Sequence, residues 1–173
     1  KPSVIADALA VTQGVKRRFE VVGQKNGVTV VDDYAHHPTA VRELVATAAQ
    51  VYPDRDHLFI FQAHQYARLL GFFDGFADAL AGARQVIICR TYAARETGVV
   101  AGEPEERLAK ELRARGVKAL AVSTLQSAVT QARAAFKQGL VVFTVGAGDI
   151  TDVASMLLEG PRSGKAHRVR EDS

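Results

Sequence analysis

The stretch Val30-Val31-Asp32-Asp33-Tyr34-Ala35-His36-His37-Pro38 decides the fold class of this chain. An apolar strand runs there into two carboxylates, a phenol and two imidazoles, and Pro38 suits the first turn of a helix. In an open α/β sheet, polar groups at the carboxyl end of a strand lie where ligands bind. Because five titratable side chains are costly to desolvate together, this turn is a candidate functional site.

The alternation of strand and helix continues on both sides of this turn. Apolar strands are predicted at 58–61, 86–89, 119–122 and 140–145, and helices at 38–48, 72–80, 105–115, 124–137 and 150–158. Their continuous apolar character indicates burial on both faces, as in parallel sheets. Asn26-Gly27, between β-rich runs at 19–22 and 28–31, predicts a hairpin. The expected fold is α/β: a Rossmann-like, doubly wound, mostly parallel sheet with an antiparallel N-terminal hairpin strand.

Composition narrows the class of protein. The chain has 173 residues and a formal net charge of +3, too small to imply a nucleic-acid-binding surface. Its single cysteine, Cys89, lies in an apolar run and is expected to be a buried, inert thiol, which fits a reduced cytoplasmic compartment. No leader or long apolar span is evident, so neither export nor a membrane partner is expected.

The acidic and imidazole turn allows three interpretations. Asp33 could accept hydrogen bonds from a ribose diol, and an imidazole could donate to phosphate or carboxylate oxygens. The same side chains could instead cap the following helix. A metal site is also chemically possible at Asp33, His36 and His37, but consecutive histidines point apart at a helix entrance and no third partner is evident.

Three further stretches could carry chemistry. Lys16-Arg17-Arg18 could clamp phosphates or form a solvated loop. In 61–68, which follows another strand, Arg68 could bind an anion and His64 could form hydrogen bonds, although either could simply start a helix. Gly146 and Gly148 predict a tight turn after a buried strand, whereas Thr151 breaks the dinucleotide-binding glycine pattern. Residues 160–166 only superficially resemble a P-loop.

Five stretches, in order along the chain, resemble the C-terminal domain of the Mur ligases. They are Gly14-Val15-Lys16-Arg17-Arg18-Phe19, Asp32-Asp33-Tyr34-Ala35-His36-His37-Pro38, Phe61-Gln62-Ala63-His64, Tyr92-Ala93-Ala94-Arg95-Glu96 and Gly146-Ala147-Gly148-Asp149-Ile150. Any one could arise by chance, but the ordered set is specific. The resemblance implies that residues 1–13 are the trailing edge of a central ATPase domain, 14–159 the C-terminal domain, and 160–173 a flexible basic tail.

The family resemblance also implies a reaction. Mur ligases activate a carboxylate with ATP and Mg²⁺ to an acyl phosphate, which an amino acid amine attacks to give an amide. The expected substrates are UDP-N-acetylmuramate and L-alanine, the expected process is peptidoglycan synthesis, and ATP and Mg²⁺ would be bound mainly by the central domain. A domain that completes a site by closing over it should be inactive alone.

Site residues follow from the same resemblance. Arg17 or Arg18 would face the phosphates of the nucleotide and Asp33 its ribose, and no residue is assigned to metal. The substrate-facing positions would be Tyr34, His36, His64, Gln65 and Arg68, of which His36 and Arg68 would be catalytic. Cations at these positions would stabilise charge on the transferring phosphoryl group.

One position departs from the family pattern. Gln65 stands where the family has an arginine, so a charge-assisted contact to a substrate carboxylate, worth about 1.5–3 kcal/mol, is replaced by a neutral one. A related ligase for another amino acid or a recycled peptide is therefore the alternative. A non-catalytic module that binds a nucleotide or another metabolite is the third hypothesis.

Overall fold

A computed structural model describes residues 15–96 and 103–159 of the chain. The strands are β1 (Glu20–Lys25), β2 (Val28–Asp33), β3 (His57–His64), β4 (Gln85–Tyr92), β5 (Lys118–Val122) and β6 (Val141–Val145). The helices are α1 (Pro38–Val51), α2 (Tyr66–Gly71), α3 (Phe73–Leu80), α4 (Glu103–Ala114), α5 (Leu125–Ala134) and α6 (Thr151–Leu158). Strand and helix alternate from β2 onward, with β3 and β4 separated by two short helices.

The six strands form a single sheet in the order β1-β2-β6-β3-β4-β5. Strands β2 to β6 pair in parallel, and only β1 is antiparallel to its neighbour. Strand β6, predicted at 140–145, lies inside the sheet between β2 and β3. The expected α/β fold, with its antiparallel hairpin strand, is confirmed.

The hairpin turn shows why its sequence signal was strong. Asn26 and Gly27 both have positive φ, 50° and 77°, which is the backbone of the turn that best matches the twist of antiparallel strands. Glycine adopts this conformation without a steric penalty, and asparagine tolerates it better than most residues. The turn therefore fixes β1 at the edge of the sheet.

The sheet is covered on both faces, as a doubly wound fold requires. One apolar core lies under α1 to α4 and includes Leu44, Phe59, Phe76, Leu108 and Phe143. The other lies under α5 and α6 and includes Ile60, Ile87, Val129, Val142 and Val153. Strands β2, β3, β4 and β6 are largely buried, which accounts for their continuous apolar sequences, whereas the edge strands β1 and β5 are more exposed.

Several element boundaries differ from expectation. Strand β3 continues to His64 rather than ending at Phe61, so Gln62 is buried inside the strand and not at its mouth. Strand β4 likewise extends to Tyr92. Helix α2, at 66–71, was not predicted, because polar residues in this short segment interrupt the helical spacing of apolar ones. The trailing edge expected at 1–13 and the tail expected at 160–173 lie outside the described residues.

Candidate functional site

The expected site residues gather at one edge of the sheet. Because β2, β6, β3 and β4 are parallel, the residues that follow them emerge side by side. Strand β1 runs the opposite way, so its beginning, with Arg17 and Arg18 just before it, reaches the same edge. We call this set of strand ends and the turns that follow them the carboxyl edge.

Arg17 is held by contacts within the protein. Its Nε donates to Oδ2 of Asp32 at 3.0 Å, and its Nη2 donates to the carbonyl oxygen of Gly146 at 2.6 Å. The Asp32 carboxylate, which is 2% exposed, also accepts hydrogen bonds from the hydroxyls of Thr144 and Thr151. A buried carboxylate with three donors is a structural anchor that joins β1, β6 and α6.

Arg18 has a different environment from its neighbour. It is exposed, and its guanidinium carbon lies 6.0 Å from the centre of the Tyr34 ring. Arg18 forms no ion pair with any residue in 15–96 or 103–159. Of the two arginines expected to face nucleotide phosphates, Arg18 is the one whose charge stays available.

Asp33 organises the turn that follows β2. Its Oδ2 accepts the backbone N–H of Phe19 at 2.7 Å, and its Oδ1 accepts that of Ala35 at 2.8 Å. Asp33 is buried, with 8% of its surface exposed. Both carboxylate oxygens thus already have donors, although each retains a second lone pair. The expected ribose contact would use those remaining lone pairs.

Four aromatic rings form a row along the carboxyl edge. The centre of the Tyr34 ring lies 5.2 Å from that of His36, His36 lies 6.5 Å from His64, and His64 lies 5.5 Å from Tyr92. Three separate strand ends contribute these rings, and Tyr34 and Tyr92 are both exposed. We call them the ring row. It brings together Tyr34, His36 and His64, which sequence reasoning assigned to substrate.

The two adjacent histidines of the turn have different roles. Nδ1 of His36 lies 3.0 Å from the carbonyl oxygen of Tyr34, which orients its ring within the row. Nδ1 of His37 accepts the backbone N–H of Thr39 and so caps α1, while its ring lies against Phe72. The capping interpretation is therefore correct for His37. The described residues contain no group of three His, Cys, Asp or Glu side chains that could bind one metal ion.

His64 and Arg68 are neighbours at the end of β3. Nη1 of Arg68 lies 3.3 Å from the carbonyl oxygen of His64. Burial lowers the pKa of His64 below its ordinary value of 6.5, and the charges of Arg68 and His36 lower it further. His64 is therefore neutral at pH 7, and its buried Nδ1 has no hydrogen-bond partner among the described residues.

Gln65 links β3 to α2 in an unusual backbone conformation. Its φ of 74° is rare for a residue with a side chain, and such strained residues cluster at functional sites. Its backbone N–H donates to the carbonyl oxygen of Tyr92 at 2.8 Å. Gln65, expected to depart from the Mur ligase pattern, thus lies beside the ring row.

The glycine turn after β6 packs closely on Gln62. A Cβ at Gly146, whose φ is 146°, would lie 2.5 Å from the backbone oxygen of Gln62, and one at Gly148 would lie 2.6 Å from its Oε1. The Gln62 amide donates to Asp149 and accepts the backbone N–H of Ile150. Two glycines are needed here because the turn leaves no room for a side chain.

A cavity opens beside the ring row, between the ends of β4 and β5. Its volume is about 390 Å³, and its walls include Gln62, Tyr92, Ser123, Thr124 and Asp149. This volume lies in the range of small-molecule sites, about 300–1,000 Å³. The carboxyl edge therefore offers an exposed arginine, a row of aromatic rings and a polar cavity.

Comparison with known proteins identifies the family. The family model described as "Mur ligase, glutamate ligase domain" matches residues 17–148, which include most of the carboxyl edge. The chain belongs to the Mur ligase family. The matched range therefore contains Arg18, Arg68 and all four residues of the ring row.

Individual Mur ligases agree with this assignment. The UDP-N-acetylmuramate–L-alanine ligase of Clostridium acetobutylicum is 38% identical over 156 residues, which are 89% of this chain and 33% of that protein. The crystal structure of the UDP-N-acetylmuramate-alanine ligase of Thermotoga maritima aligns with a TM-score of 0.68 at 25% identity, over 89% of this chain and 34% of that one. The murein peptide ligase of Psychrobacter arcticus aligns with a TM-score of 0.69 at 21% identity, over 88% and 31%, and shows the fold alone.

The chain spans about a third of the length of the Mur ligases it matches. None of the helices in 15–96 and 103–159 is long and apolar enough to cross a membrane. Sequence reasoning quoted Tyr92 and Glu96 as part of a family motif but gave them no role, although Tyr92 completes the ring row. The available signal was their position shortly after the strand predicted at 86–89.

Proposed function

We propose that this chain is the C-terminal, amino-acid-side domain of an ATP-dependent ligase that joins L-alanine to UDP-N-acetylmuramate. The observation that carries this proposal is the convergence of Arg18, Arg68 and the ring row at one edge of a Mur ligase domain. Relatives that carry the alanine ligase name, at 38% identity, support the choice of substrates. The proposed setting is peptidoglycan synthesis in the cytoplasm. A free thiol such as that of Cys89 is typical of this reducing compartment.

The charges at this edge suit phosphoryl and acyl transfer. In the proposed reaction, ATP phosphorylates the muramate carboxylate, and the alanine amine then displaces phosphate and loses a proton. Arg18 would face phosphate oxygens, because its guanidinium is exposed and unpaired by described residues. Arg68 would stabilise the negative charge that develops on the acyl phosphate as the amine attacks.

The aromatic residues have a separate proposed task. Tyr34 and His36 would shape the entrance for the amino acid, and the neutral His64 could exchange a hydrogen bond with it. His36 would be catalytic through contact with the acyl phosphate. Mg²⁺ would neutralise charge on ATP, and since 15–96 and 103–159 hold no cluster of metal ligands, its ligands are proposed to come from the preceding domain.

The alternative is a Mur ligase for another amino acid or a recycled peptide. Gln65 favours it, because a neutral amide replaces the arginine expected to bind a substrate carboxylate. Measuring ATP-dependent phosphate release by the intact ligase separates the two. We expect release with L-alanine, whereas release only with a tripeptide or with a different amino acid would favour the alternative, and release with none of these would refute both.

Arg68→Ala tests the site in the same intact enzyme. Loss of a charge-assisted contact should lower kcat/KM for the amino acid at least about tenfold, because about 1.4 kcal/mol corresponds to a factor of ten. Arg84→Ala is the matched control, since Arg84 is 83% exposed and precedes β4 at the opposite edge of the sheet. Equal kinetics in both variants would remove Arg68 from the site.

A further inference from the structure

The conformation of the turn from β3 to α2 depends on contacts from outside the turn. Gln65 has a φ of 74°, a conformation that costs about 1–3 kcal/mol and persists only where the surroundings impose it. The Gln65 side chain makes no capping hydrogen bond to α2. The first backbone N–H groups of a helix have no partner within the helix, so they need an acceptor from elsewhere.

Glu96 provides that acceptor from a distant part of the chain. Its Oε2 accepts the backbone N–H of Tyr66 at 2.5 Å, and its Oε1 accepts that of Ala67 at 3.1 Å. One carboxylate thus binds both of the first two amides of α2. Charge-assisted hydrogen bonds of this kind are roughly twice as strong as neutral ones, and a negative charge at a helix N-terminus is favourable.

The end of β4 and the turn after it direct Glu96 to α2. Tyr92 stacks on the ring of His64, and its carbonyl oxygen accepts the N–H of Gln65. Ala94 has a φ of 54°, and the N–H of Glu96 donates to the carbonyl of Ala93, so the chain reverses tightly. The segment 92–96 therefore contacts four consecutive residues, 64 to 67.

These contacts fix the parts of the edge that face substrate. His64 precedes the turn, Gln65 forms it, and Arg68 lies one turn into α2. A small change in the direction of α2 would displace the Arg68 guanidinium relative to the ring row. Rigid support of this kind matters, because a displacement of about 1 Å at a reacting centre can reduce turnover about a hundredfold.

We propose that Glu96 is a positioning residue that holds His64, Gln65 and Arg68 in the geometry required for the amino acid. This inference rests on the proposed ligase function. Glu96 acts through the backbone of α2 and does not itself touch substrate. It gives a role to the Tyr92–Glu96 motif, which the proposed reaction otherwise leaves unused.

The charge of Glu96 supplies an independent readout. Burial lowers the pKa of His64, the charges of Arg68 and His36 act in the same direction, and the charge of Glu96 raises it. Removing that charge should lower the pKa of His64 further. This shift tests the geometry itself, because a Glu96 carboxylate that lay away from α2 would leave the His64 titration unchanged.

Glu96→Gln tests the proposal in two preparations. In the intact ligase, we expect KM for the amino acid to rise about tenfold, because one charge-assisted contact is lost. The KM for ATP should change less than about twofold. In the 173-residue chain, NMR titration should show a lower pKa for His64. Glu106→Gln is the matched control, because Glu106 is an exposed helix residue paired with Arg113, and it should change neither quantity.

The outcomes separate this inference from the proposed function. Unchanged KM for the amino acid, or a loss of stability alone, would overturn the role of Glu96. An unchanged pKa of His64 would overturn it too, even in a preparation that has no activity. Absence of turnover in the unmodified intact enzyme would instead reject the ligase proposal.

Discussion

Arg17 and Arg18 show how adjacent, chemically identical residues can take different roles. Arg17 is bound to Asp32 and Gly146 inside the domain, whereas Arg18 is exposed beside Tyr34. We expect Arg17→Ala to destabilise the chain by about 1–3 kcal/mol, because it leaves a buried carboxylate with one donor fewer. Arg18→Ala should leave stability within about 0.5 kcal/mol, as is usual for surface residues.

Urea denaturation of the two variants measures this difference directly. In the intact ligase, Arg18→Ala should additionally weaken ATP binding, which isothermal titration would detect. The reverse pattern, with Arg18→Ala unfolding more readily than Arg17→Ala, would show that the assignment of the two side chains is inverted.

The sequence could predict which residue types meet at the site but not which partners they choose. Asp32 and Asp33 both follow an apolar strand, and nothing local distinguishes them. Their partners do: Asp32 binds side chains from positions 17, 144 and 151, while Asp33 binds backbone N–H groups of Phe19 and Ala35. Contacts over more than a hundred residues depend on the order of strands in the sheet, which no local pattern contains.

At the scale of an element, the close packing of the glycine turn between β6 and α6 can be tested by substitution. Gly146→Ala should cost more than the roughly 1–2 kcal/mol of a residue forced to a positive φ, because its Cβ would lie 2.5 Å from the Gln62 backbone. Gly116→Ala is the matched control. Gly116 has a φ of 84° with open space around it, so only the conformational cost applies there.

Denaturation midpoints of the two glycine variants provide the comparison. If Gly146→Ala is no more destabilising than Gly116→Ala, the turn can move away from Gln62 and the packing argument is wrong.

The hairpin turn between β1 and β2 could be predicted from the sequence, because the backbone conformation at Asn26-Gly27 is set by local preference alone. The end of β3 could not be predicted in this way, because His64 belongs to the strand only through its pairing with β4.

At the scale of the whole described structure, the expected site residues lie at one edge of the sheet. The core on each face of the sheet is apolar, and the carboxyl edge holds Arg18, Arg68 and the ring row together. This polarity follows from parallel pairing, which the continuous apolar strands predicted. This arrangement suits the proposed role, in which the domain completes a site by closing over a nucleotide.

Two histidines should make the stability of the whole chain depend on pH. Burial is the main cause that lowers the pKa of both His57 and His64 below the ordinary 6.5. In the unfolded chain these imidazoles take up protons near pH 6.5, whereas in the folded chain they do so only at lower pH. Unfolding is therefore favoured as pH falls below about 6.5, and the stabilising contribution is fully present above it.

Urea unfolding measured at steps from about pH 7.5 to pH 5 tests this dependence. The free energy of unfolding should fall over that range, and the double substitution His57→Gln with His64→Gln should flatten the fall. Asp56, whose pKa is lowered mainly by its hydrogen bond to Lys137, titrates below its ordinary 3.8 and so does not act in this window. A constant free energy in the unmodified chain would mean that both imidazoles protonate as readily in the folded state as in the unfolded one.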